Sequence, residues 1–536
     1  MKDMKHLIYI SLIISLCSCS DFLEEYSQDT YYVSSYKDLD ELLIGDCYLP
    51  VQGSNTAAST TNIGYFLPFL ADEMEEQNAG LFDDYGNESV LYDVKDKVFG
   101  CYTWQQRIGQ TPSYSGYISE DDTWTELYRL INVANNILGS VDNVPQSSEE
   151  DRLGATRVKG ETHFLRAAYY FWLANLYGKP YNKTTATSDL AVPLKTTEKV
   201  DDKIYQRNTV QEVYNQVLAD LQEAEKCLSQ TEKSKSIYRA DSTTVHLLES
   251  RVYLYMQNWE MAARYADKVL KARSTLTDMN TTAPASGFLS KASKETLFSM
   301  GGNDIPCNIA YACQSFRVAK ELYDAYEEDD LRKSQWWWTR NDFIGYTKMA
   351  HGNRNEEQSI VPERDDYYYY GYSDGYIHNM AEVSDKFLFR TAEAYLNKAE
   401  AEAYTDNENE ARSALNTLRR NRYATGSNYE VAASGEALVK AIREERRKEL
   451  ALEGHRWFDL RRYMVCEKYP ESKKITHNYT YYTGRLDATK VTTHVFVLEA
   501  NDPAYTLPIP QEVIDFNTGM TNNVRPWRNY TETNPN

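Results

Sequence analysis

Two cysteines lie at the end of an N-terminal apolar run, and one of them is a candidate for covalent modification. The run, residues 7–16, follows two lysines. It is long enough for a secretory signal but shorter than the roughly 20 residues that a membrane-spanning helix needs. In the segment "LCSC" (16–19), a small residue precedes Cys19 and a branched apolar residue lies two positions further back, as lipoprotein signals require. The sequence therefore predicts removal of residues 1–18 and a lipid on Cys19.

The residues around this cysteine also predict where the protein is anchored. Cys17 is the less suitable acceptor, because the bulky Leu16 would then precede the modified residue; an unlipidated secreted protein cut near Ser18 is the alternative. A lipid on Cys19 would hold the chain at a membrane without spanning it. The acids in "CSDFLEE" resemble the surface-export signal of Bacteroidetes lipoproteins, which predicts an outer-membrane protein that faces the cell exterior.

The sequence does not favour catalysis. It has no His-Glu-x-x-His motif and no glycine-rich phosphate loop. The eight histidines are scattered, and among 79 acidic residues a pair at the spacing of catalytic carboxylates carries no information. We therefore expect a binding protein rather than an enzyme, with no cofactor and no metal ligands. Whether calcium assists binding is left open by the sequence.

Composition narrows the range of partners. The chain has 536 residues and a formal net charge of −21, which argues against nucleic acid or a bare anionic lipid surface as partner. The cysteines beyond residue 19 are too few for a disulfide scaffold and too widely spaced for a zinc site, although Cys307 and Cys313 could close a small loop. The 44 tyrosines suit recognition of hydroxyl-rich ligands or, alternatively, line helix interfaces.

Amphipathic helices must position any binding site, because helical periodicity dominates the chain. In "GETHFLRAAYYFWLANLYGKP" the apolar residues recur at four-residue spacing: Phe164, Ala168, Trp172 and Leu176. This spacing predicts a helix with one buried face that ends at Gly178. Upstream, "DDTWTELYRLINVANNIL" shows a second amphipathic stripe with acids in its first turn.

Two further helix pairs have the spacing of tetratricopeptide repeats. In "STTVHLLESRVYLYMQNWEMAARYADKVL" the pattern consists of small and aromatic residues: Ser250, Tyr253, Ala262 and Ala266. Small residues at these positions let paired helices approach closely. The segment "KFLFRTAEAYLNKAEAEAYTDNENEARSALNTLRR" shows a similar pattern of small and apolar residues: Ala399, Ala403, Ala411, Leu415 and Leu418. The sequence thus predicts a mainly α fold on a helical repeat scaffold over about 121–273 and 386–463.

Two long segments, residues 50–118 and 274–385, lack a helical period and are rich in Gly, Asn, Ser, Thr and aromatic residues. Such irregular segments in a compact protein are usually functional loops. Within the second, "QWWWTRNDFIGYTKM" predicts short hairpin strands with adjacent tryptophans on opposite faces. The stretch "DDYYYYGYSDGY" is either a tyrosine-rich rim loop or a packed sheet face. The tail, 464–536, is predicted to be irregular.

Six segments in a fixed order span nearly the whole chain. They are "CSDFLEE" (19–25), "WTELYRLINVANNIL" (124–138), "GETHFLRAAYYFWLANLYGKPY" (160–181), "AEAYLNKAEAEAY" (392–404), "ERRKELALEGHRWFDLRRY" (445–463) and "LPIPQEVIDFN" (507–517). Together they resemble the SusD/RagB family of Bacteroidetes outer-membrane nutrient-binding lipoproteins. Any one of them could match by chance, but six in the expected order hardly could.

This resemblance implies a fold and a role. The fold would be a single SusD-like domain over residues 19–536, in which four tetratricopeptide-like helix pairs carry a large loop-rich region with short β-hairpins. Family members resemble hinged lids over a SusC-like TonB-dependent barrel, which capture an oligosaccharide and close it into the transporter. Two alternatives stay open: capture of a peptide by the same mechanism, and a surface adhesion protein that holds a protein partner on its helical repeats.

The resemblance also implies where a ligand binds, although the matching motifs are scaffold motifs and identify no binding residue. The loop-rich parts would supply the contacts. In "CYTWQQRIGQTPSYSGY" and "GGNDIPCNIAYAC" the candidates are Tyr102, Trp104, Tyr114, Tyr117, Asn303, Asp304 and Tyr311. Aromatic rings would stack on sugar faces while amides bond to hydroxyls. Alternatively, Trp104 anchors its loop to the body.

The segment "EGHRWFDLRRY" (453–463) combines aromatic, acidic and basic residues as a binding site would. Its helical spacing would bury Trp457 and let Asp459 pair with an arginine. Because that is the ordinary structural use of such residues, we predict that this segment belongs to the scaffold.

Overall fold

The computed structural model describes most of the chain, and the described part is built mainly from helices. It covers residues 33–51, 63–77, 81–82, 88–89, 95–96, 98–112, 122–199, 203–281, 288–302, 316–340, 343–346, 348–349, 383–484 and 487–533. The helices are α1 (Tyr36–Leu42), α2 (Leu67–Leu70), α3 (Phe99–Tyr102), α4 (Thr123–Ser140), α5 (Glu149–Tyr177), α6 (Val210–Leu228), α7 (Ser242–Tyr255), α8 (Trp259–Ala272), α9 (Lys320–Asp324), α10 (Leu331–Trp336), α11 (Thr391–Tyr404), α12 (Glu408–Arg420), α13 (Gly435–Glu449), α14 (Arg456–Met464) and α15 (Gln511–Phe516).

The strands form small antiparallel sheets. They are β1 (Met74–Glu76), β2 (Leu81–Phe82), β3 (Glu88–Ser89), β4 (Thr296–Ser299), β5 (Phe316–Val318), β6 (Trp337–Arg340), β7 (Phe343–Tyr346), β8 (Leu388–Arg390), β9 (Ile475–Gly484), β10 (Asp487–Leu498) and β11 (Tyr530–Thr533). The pairs are β1 with β5, β2 with β3, β4 with β8 and β6 with β7, and β11, β10 and β9 form one sheet in that order. Several pairs join distant parts of the chain.

Side-chain caps define where two of the long helices begin. Before α5, Ser148 Oγ accepts a hydrogen bond from the Asp151 amide at 3.1 Å, and before α6, Thr209 Oγ1 accepts one from the Glu212 amide at 3.2 Å. In both, the acidic side chain bonds back to the amide of the cap residue. These reciprocal bonds satisfy amides that have no partner within the helix.

The two repeat pairs pack as their sequences predict. Helices α7 and α8 are in contact, and Ser250 Oγ donates to the Ala262 carbonyl at 2.9 Å. Ala262 and Ala266 are fully buried. Helices α11 and α12 repeat the arrangement, and α8 packs on α11. The small side chains allow this close approach, so the predicted helical repeat scaffold is confirmed for these pairs.

The C-terminal segment differs from the prediction of an irregular tail. Strands β9 and β10 are ten and twelve residues long and pair from Ile475↔Leu498 to Asp487↔Gly484, with bulges near the turn. On β9, Ile475, His477 and Tyr479 are buried while the residues between them are exposed. This alternation is typical of a strand with one face on the core, and it was present in "ITHNYTYY".

The tryptophan-rich segment forms the predicted hairpin, but its first strand begins at Trp337, after Gln335 and Trp336. Strands β6 and β7 pair from Trp337↔Tyr346 to Arg340↔Phe343. Trp336 is not in the strand, because it ends helix α10. Trp336 and Trp337 are both buried although they are adjacent. The change from helix to strand between them removes the alternation that a continuous strand would impose.

Segment 453–463 is part of the scaffold, as predicted. Asp459 accepts hydrogen bonds from Arg446 Nε at 2.8 Å and from Arg462 Nε at 2.7 Å. Trp457 is buried and stacks on Tyr505, with ring centroids 4.9 Å apart. The polar residues are therefore used within the protein.

Buried ion pairs fasten α13 to the loop-rich region. Glu449, the last residue of α13, accepts hydrogen bonds from Arg332 at 2.8 Å, Arg390 at 2.6 Å and Arg422 at 2.9 Å. All four side chains are buried. The arginines come from α10, from the end of β8 and from the loop after α12, so one carboxylate connects three separate elements.

No helix within the described residues is long and apolar enough to span a membrane.

Glu73 is a buried carboxyl group with an altered pKa. It lies between α2 and β1, is 3% exposed, and accepts a hydrogen bond from the Leu452 amide at 2.7 Å. Burial, with a further contribution from the neighbouring Asp72, raises the pKa of Glu73 to about 7. The folded protein therefore binds a proton here at pH values where the unfolded chain has released it.

We expect the titration of Glu73 to lower the free energy of unfolding by about 2–3 kcal/mol between pH 5 and pH 8, and Glu73→Gln to remove this decrease. Because the folded pKa of Glu73 lies above the unfolded value, this contribution is present at low pH and is lost as the pH rises through about 7. Glu249, whose pKa burial raises to about 8, acts in the same direction. Urea unfolding of both proteins at several pH values isolates Glu73. If the free energy of unfolding depended on pH in the same way in the parent and in Glu73→Gln, the prediction would be wrong.

Candidate functional site

Tyr102 and Trp104, two of the predicted ligand contacts, are buried in the body of the protein. Both are 0% exposed. Trp104 Nε1 donates to the Leu70 carbonyl at 3.0 Å, and the Tyr102 hydroxyl accepts from the Glu76 amide at 2.9 Å. Neither ring presents a face to a ligand in this arrangement. The alternative, in which Trp104 anchors its loop, is the one that the structure supports.

His477 explains why these rings point inward. Tyr102 and Trp104 both stack on its imidazole, with centroids 4.1 Å and 4.4 Å away. His477 Nδ1 lies 2.7 Å from the Tyr102 carbonyl. Burial lowers the pKa of His477 to about 4, and its other ring nitrogen, Nε2, lies 3.2 Å from the Ala71 carbonyl, so the imidazole is held between two backbone acceptors. Strand β9 thus holds the aromatic loop against the core.

The other predicted contacts lie outside the described residues. They are Tyr114, Tyr117, Asn303, Asp304 and Tyr311. The lipidation site Cys19, the pair Cys307 and Cys313, and the tyrosine-rich stretch also fall there. That stretch contains Gly371–Gly375, which matches the Gly-x-Ser-x-Gly pattern of a nucleophile elbow. A nucleophile elbow also requires a strand-to-helix turn around the serine, and residues 371–375 lie outside the described part.

A polar pocket of about 250 Å³ opens where the loop after α3 meets the C-terminal segment. Its wall consists of Gln106, Arg107, Pro508, Ile509, Gln511, Asn522, Asn523, Val524 and Arg525. Gln106 and Arg107 belong to the loop that the sequence predicted to contact ligand. The other residues belong to the segment beyond β10, to which the sequence had assigned no site.

A glycine places Gln106 and Arg107. Gly100 in α3 packs directly on the returning loop, where a Cβ atom would lie 2.1 Å from the carbonyl oxygen of Ile108. Trp104 turns the chain with a φ of 52°, in the left-handed region. The loop can therefore fold back on α3 only because residue 100 has no side chain.

Hydrogen bonds hold the two walls of the pocket together. Gln106 Nε2 donates to the Arg525 carbonyl at 3.1 Å, and Arg107 Nη2 donates to Gln511 Oε1 at 3.1 Å. Asn522 makes reciprocal bonds with the backbone of Ile509 at 2.8 Å and 2.9 Å. These bonds give the wall a defined shape before any ligand arrives.

Exposed apolar side chains occur in the pocket wall and in the residues that follow it along the chain. Val524, in the wall, is 83% exposed, and Trp527, two residues beyond Arg525, is 59% exposed. Tyr530 is partly exposed and stacks on His494 with centroids 3.7 Å apart. A solvent-facing indole two residues after a wall residue of a polar pocket suits a ligand that has both apolar faces and hydroxyl groups. The cluster of Asn, Arg and Trp in "TNNVRPWRNY" is the sequence signal that could have indicated it.

One cluster on the helical scaffold could hold a metal ion. Glu225, His246 and Glu249 offer ligand atoms within 4.8 Å of one another. However, Lys268 Nζ lies 2.5 Å from Glu225 Oε1, and His246 Nε2 lies 2.9 Å from the same atom. One of the three possible ligand residues is therefore already paired with an ammonium group and with an imidazole.

Family models match most of the chain. The model described as "SusD family" matches residues 319–527, and the model described as "Starch-binding associating with outer membrane" matches residues 52–254. Neither description names a catalytic activity. A curated relative, SusD-like protein P25 of Formosa agariphila, is 22% identical over 521 residues, which cover 87% of this chain and 90% of the relative.

Solved structures share the fold. A SusD superfamily protein from Bacteroides thetaiotaomicron aligns with a TM-score of 0.65 at 21% identity, over 92% of this chain and 100% of that one. A SusD-like carbohydrate binding protein from Bacteroides vulgatus aligns with a TM-score of 0.61 at 21% identity, over 91% and 98%. The family predicted from six ordered segments is thereby confirmed: this chain belongs to the SusD family.

Proposed function

We propose that this protein is a lipid-anchored receptor on the outer face of the outer membrane that captures an oligosaccharide and passes it to a SusC-like TonB-dependent transporter. Family membership supports the carbohydrate-binding class and the association with the outer membrane. Cys19 would carry the lipid. The chain would act on its ligand by binding and release, with no chemistry of its own.

The polar pocket, together with the exposed Trp527 two residues after its wall residue Arg525, is the observation that carries the glycan assignment. Sugars present apolar ring faces edged by hydroxyl groups, and they need a flat aromatic surface together with hydrogen-bonding side chains. Trp527 supplies an exposed indole, while the wall supplies amides and guanidinium groups. A transported ligand must also be released, which suits a shallow, partly open site more than a deep enclosed cavity.

We expect Trp527→Ala to weaken glycan binding about tenfold, since an exposed aromatic anchor commonly contributes more than 1 kcal/mol to binding. The measurement is titration calorimetry of the soluble chain, residues 20–536, against glycans that it retains in affinity gels. Ile44→Ala is the control, because Ile44 is 51% exposed and lies just after α1, in a part of the chain that contributes no residue to the pocket wall. Its binding should stay within about twofold of the parent.

The two alternatives give different results in the same assay. A peptide receptor would bind a peptide digest and no polysaccharide. An adhesion protein would bind neither, and its partner would contact the helical repeats. Equal glycan affinities for Trp527→Ala and the parent would show that the site lies elsewhere.

A further inference from the structure

The pocket between residues 106–107 and 508–525 has the chemistry of an anion-binding site. We propose that it receives a negatively charged substituent of the glycan, a uronate carboxylate or a sulfate ester, and that Arg525 is the main residue that binds it. The inference rests on the proposed function and narrows its substrate class.

The wall of this pocket is cationic in a strongly acidic protein. Its charged side chains are Arg107 and Arg525, and no carboxylate among the described residues lines it. The chain as a whole carries a net charge of −21. Most of the surface therefore repels an anion, and only a local concentration of guanidinium groups makes a site for one. The planar fork of a guanidinium group matches an oxyanion well.

Arg525 has two nitrogen atoms without an acceptor. The residue is 5% exposed; its Nη2 donates to the Ala504 carbonyl at 3.2 Å, whereas Nε and Nη1 are buried and meet no acceptor among the described residues. The neighbouring Arg528 shows the usual arrangement, in which Asp502 accepts from both terminal nitrogens at 2.7 Å and 3.0 Å. Buried donors without acceptors are rare, because each costs free energy that a partner would restore.

The location of Arg525 is what makes this observation informative. Arg461 also has an Nε and an Nη1 without an acceptor, but it lies outside the pocket wall and donates to the Gly178 carbonyl deep in the core. A buried arginine short of acceptors is thus not a site in itself. Arg525 combines the missing acceptors with a position in the wall of a pocket, and because Nε and Nη1 are covered in the free protein, an anion would reach them by displacing the wall side chains that cover them.

Among the described residues, no carboxylate forms an ion pair with Arg525. Burial, and then repulsion from Arg528, lowers the pKa of Arg525 to about 9. An anion at hydrogen-bonding distance would raise this pKa, because an opposite charge stabilises the protonated form. The wall asparagines do not accept hydrogen bonds from Arg525: Asn523 Oδ1 accepts from Arg207 Nη2 at 2.9 Å, and Asn522 Oδ1 accepts from the Ile509 amide at 2.8 Å.

The test compares charged with neutral ligands on the soluble chain. Titration calorimetry would use oligogalacturonate, a sulfated galactan and neutral xylo-oligosaccharides, at low and high salt. We expect the parent to bind at least one anionic probe about tenfold or more tightly than the neutral one. Arg525→Gln should remove most of that preference. Arg152→Gln, which removes an exposed charge at the start of α5, should leave all affinities within about twofold.

A second variant tests the inference in case Arg525→Gln does not fold. Because Arg525 is buried, circular dichroism must show that Arg525→Gln is folded, and Arg107→Gln, at a half-buried position, should weaken anion binding in the same direction. The uronate and sulfate arms identify which anion is taken. Anion binding that is equal in the parent and in both variants would overturn the inference. A preference for the neutral probe would overturn it while leaving the proposed function intact, whereas failure to bind any glycan would overturn both.

Discussion

Replacing Glu449 by glutamine is expected to lower the free energy of unfolding by about 3–5 kcal/mol. Glu449 is the common acceptor for Arg332, Arg390 and Arg422, and all four side chains are buried. The glutamine keeps the shape but loses the negative charge, and its amide nitrogen would face guanidinium donors. Three cations would then share fewer counter-charges in a medium of low dielectric constant. Urea unfolding followed by circular dichroism measures the loss.

The same helix provides a control for this substitution. Glu436, in the first turn of α13, pairs with Lys440 at 2.8 Å, and both side chains are exposed. Exposed pairs of this kind contribute little, so Glu436→Gln should change the free energy of unfolding by less than about 0.5 kcal/mol. Similar losses for the two variants would mean that burial does not determine the contribution of the Glu449 cluster.

Replacing Trp104 by alanine is expected to destabilise the fold by about 3–5 kcal/mol, as truncation of a buried tryptophan usually does. The change removes the stacking on His477 and the hydrogen bond to the Leu70 carbonyl, and it leaves a cavity between the loop and β9. Urea unfolding is again the measurement. The loss of stability would also loosen the loop that carries Gln106 and Arg107, so ligand binding must be measured on protein shown to be folded.

Trp527→Ala is the matched control for Trp104→Ala. Trp527 is largely exposed, so its removal should change stability by less than about 0.5 kcal/mol. Comparison of the two variants thus separates an effect on stability from an effect on glycan binding. A Trp104→Ala protein with parental stability and lost glycan affinity would contradict the buried position of that ring and would restore the direct contact first predicted for it.

The helical scaffold was predictable because its signals are local. Four-residue spacing in α5 and the small residues at positions 250, 262 and 266 have meaning within one helix or one helix pair. The caps at Ser148 and Thr209 act over three residues. Such patterns constrain the backbone directly, whatever the rest of the chain does.

The candidate site was only half predictable because its two walls are distant in sequence. Gln106 and Arg525 are hydrogen bonded although 419 residues separate them. The sequence indicated the loop that contains Gln106, but the candidates that it gave there were aromatic residues, of which Tyr102 and Trp104 are buried against β9. No local pattern in "NNVRPW" indicates that Arg525 lies in the wall of the same pocket. The apolar alternation that predicts strand β9 was overlooked, because the segment is rich in tyrosine.

The sequence by itself determined the helices, their pairing and the family, because periodicity, caps and ordered motifs are properties of contiguous residues. Only the tertiary structure decided which aromatic and charged side chains are accessible. Trp104 and Trp527 are the same residue type in comparable polar contexts, yet one is enclosed by His477 and the other faces solvent. Burial depends on what distant elements place over a side chain, and that information is not present in the residues beside it.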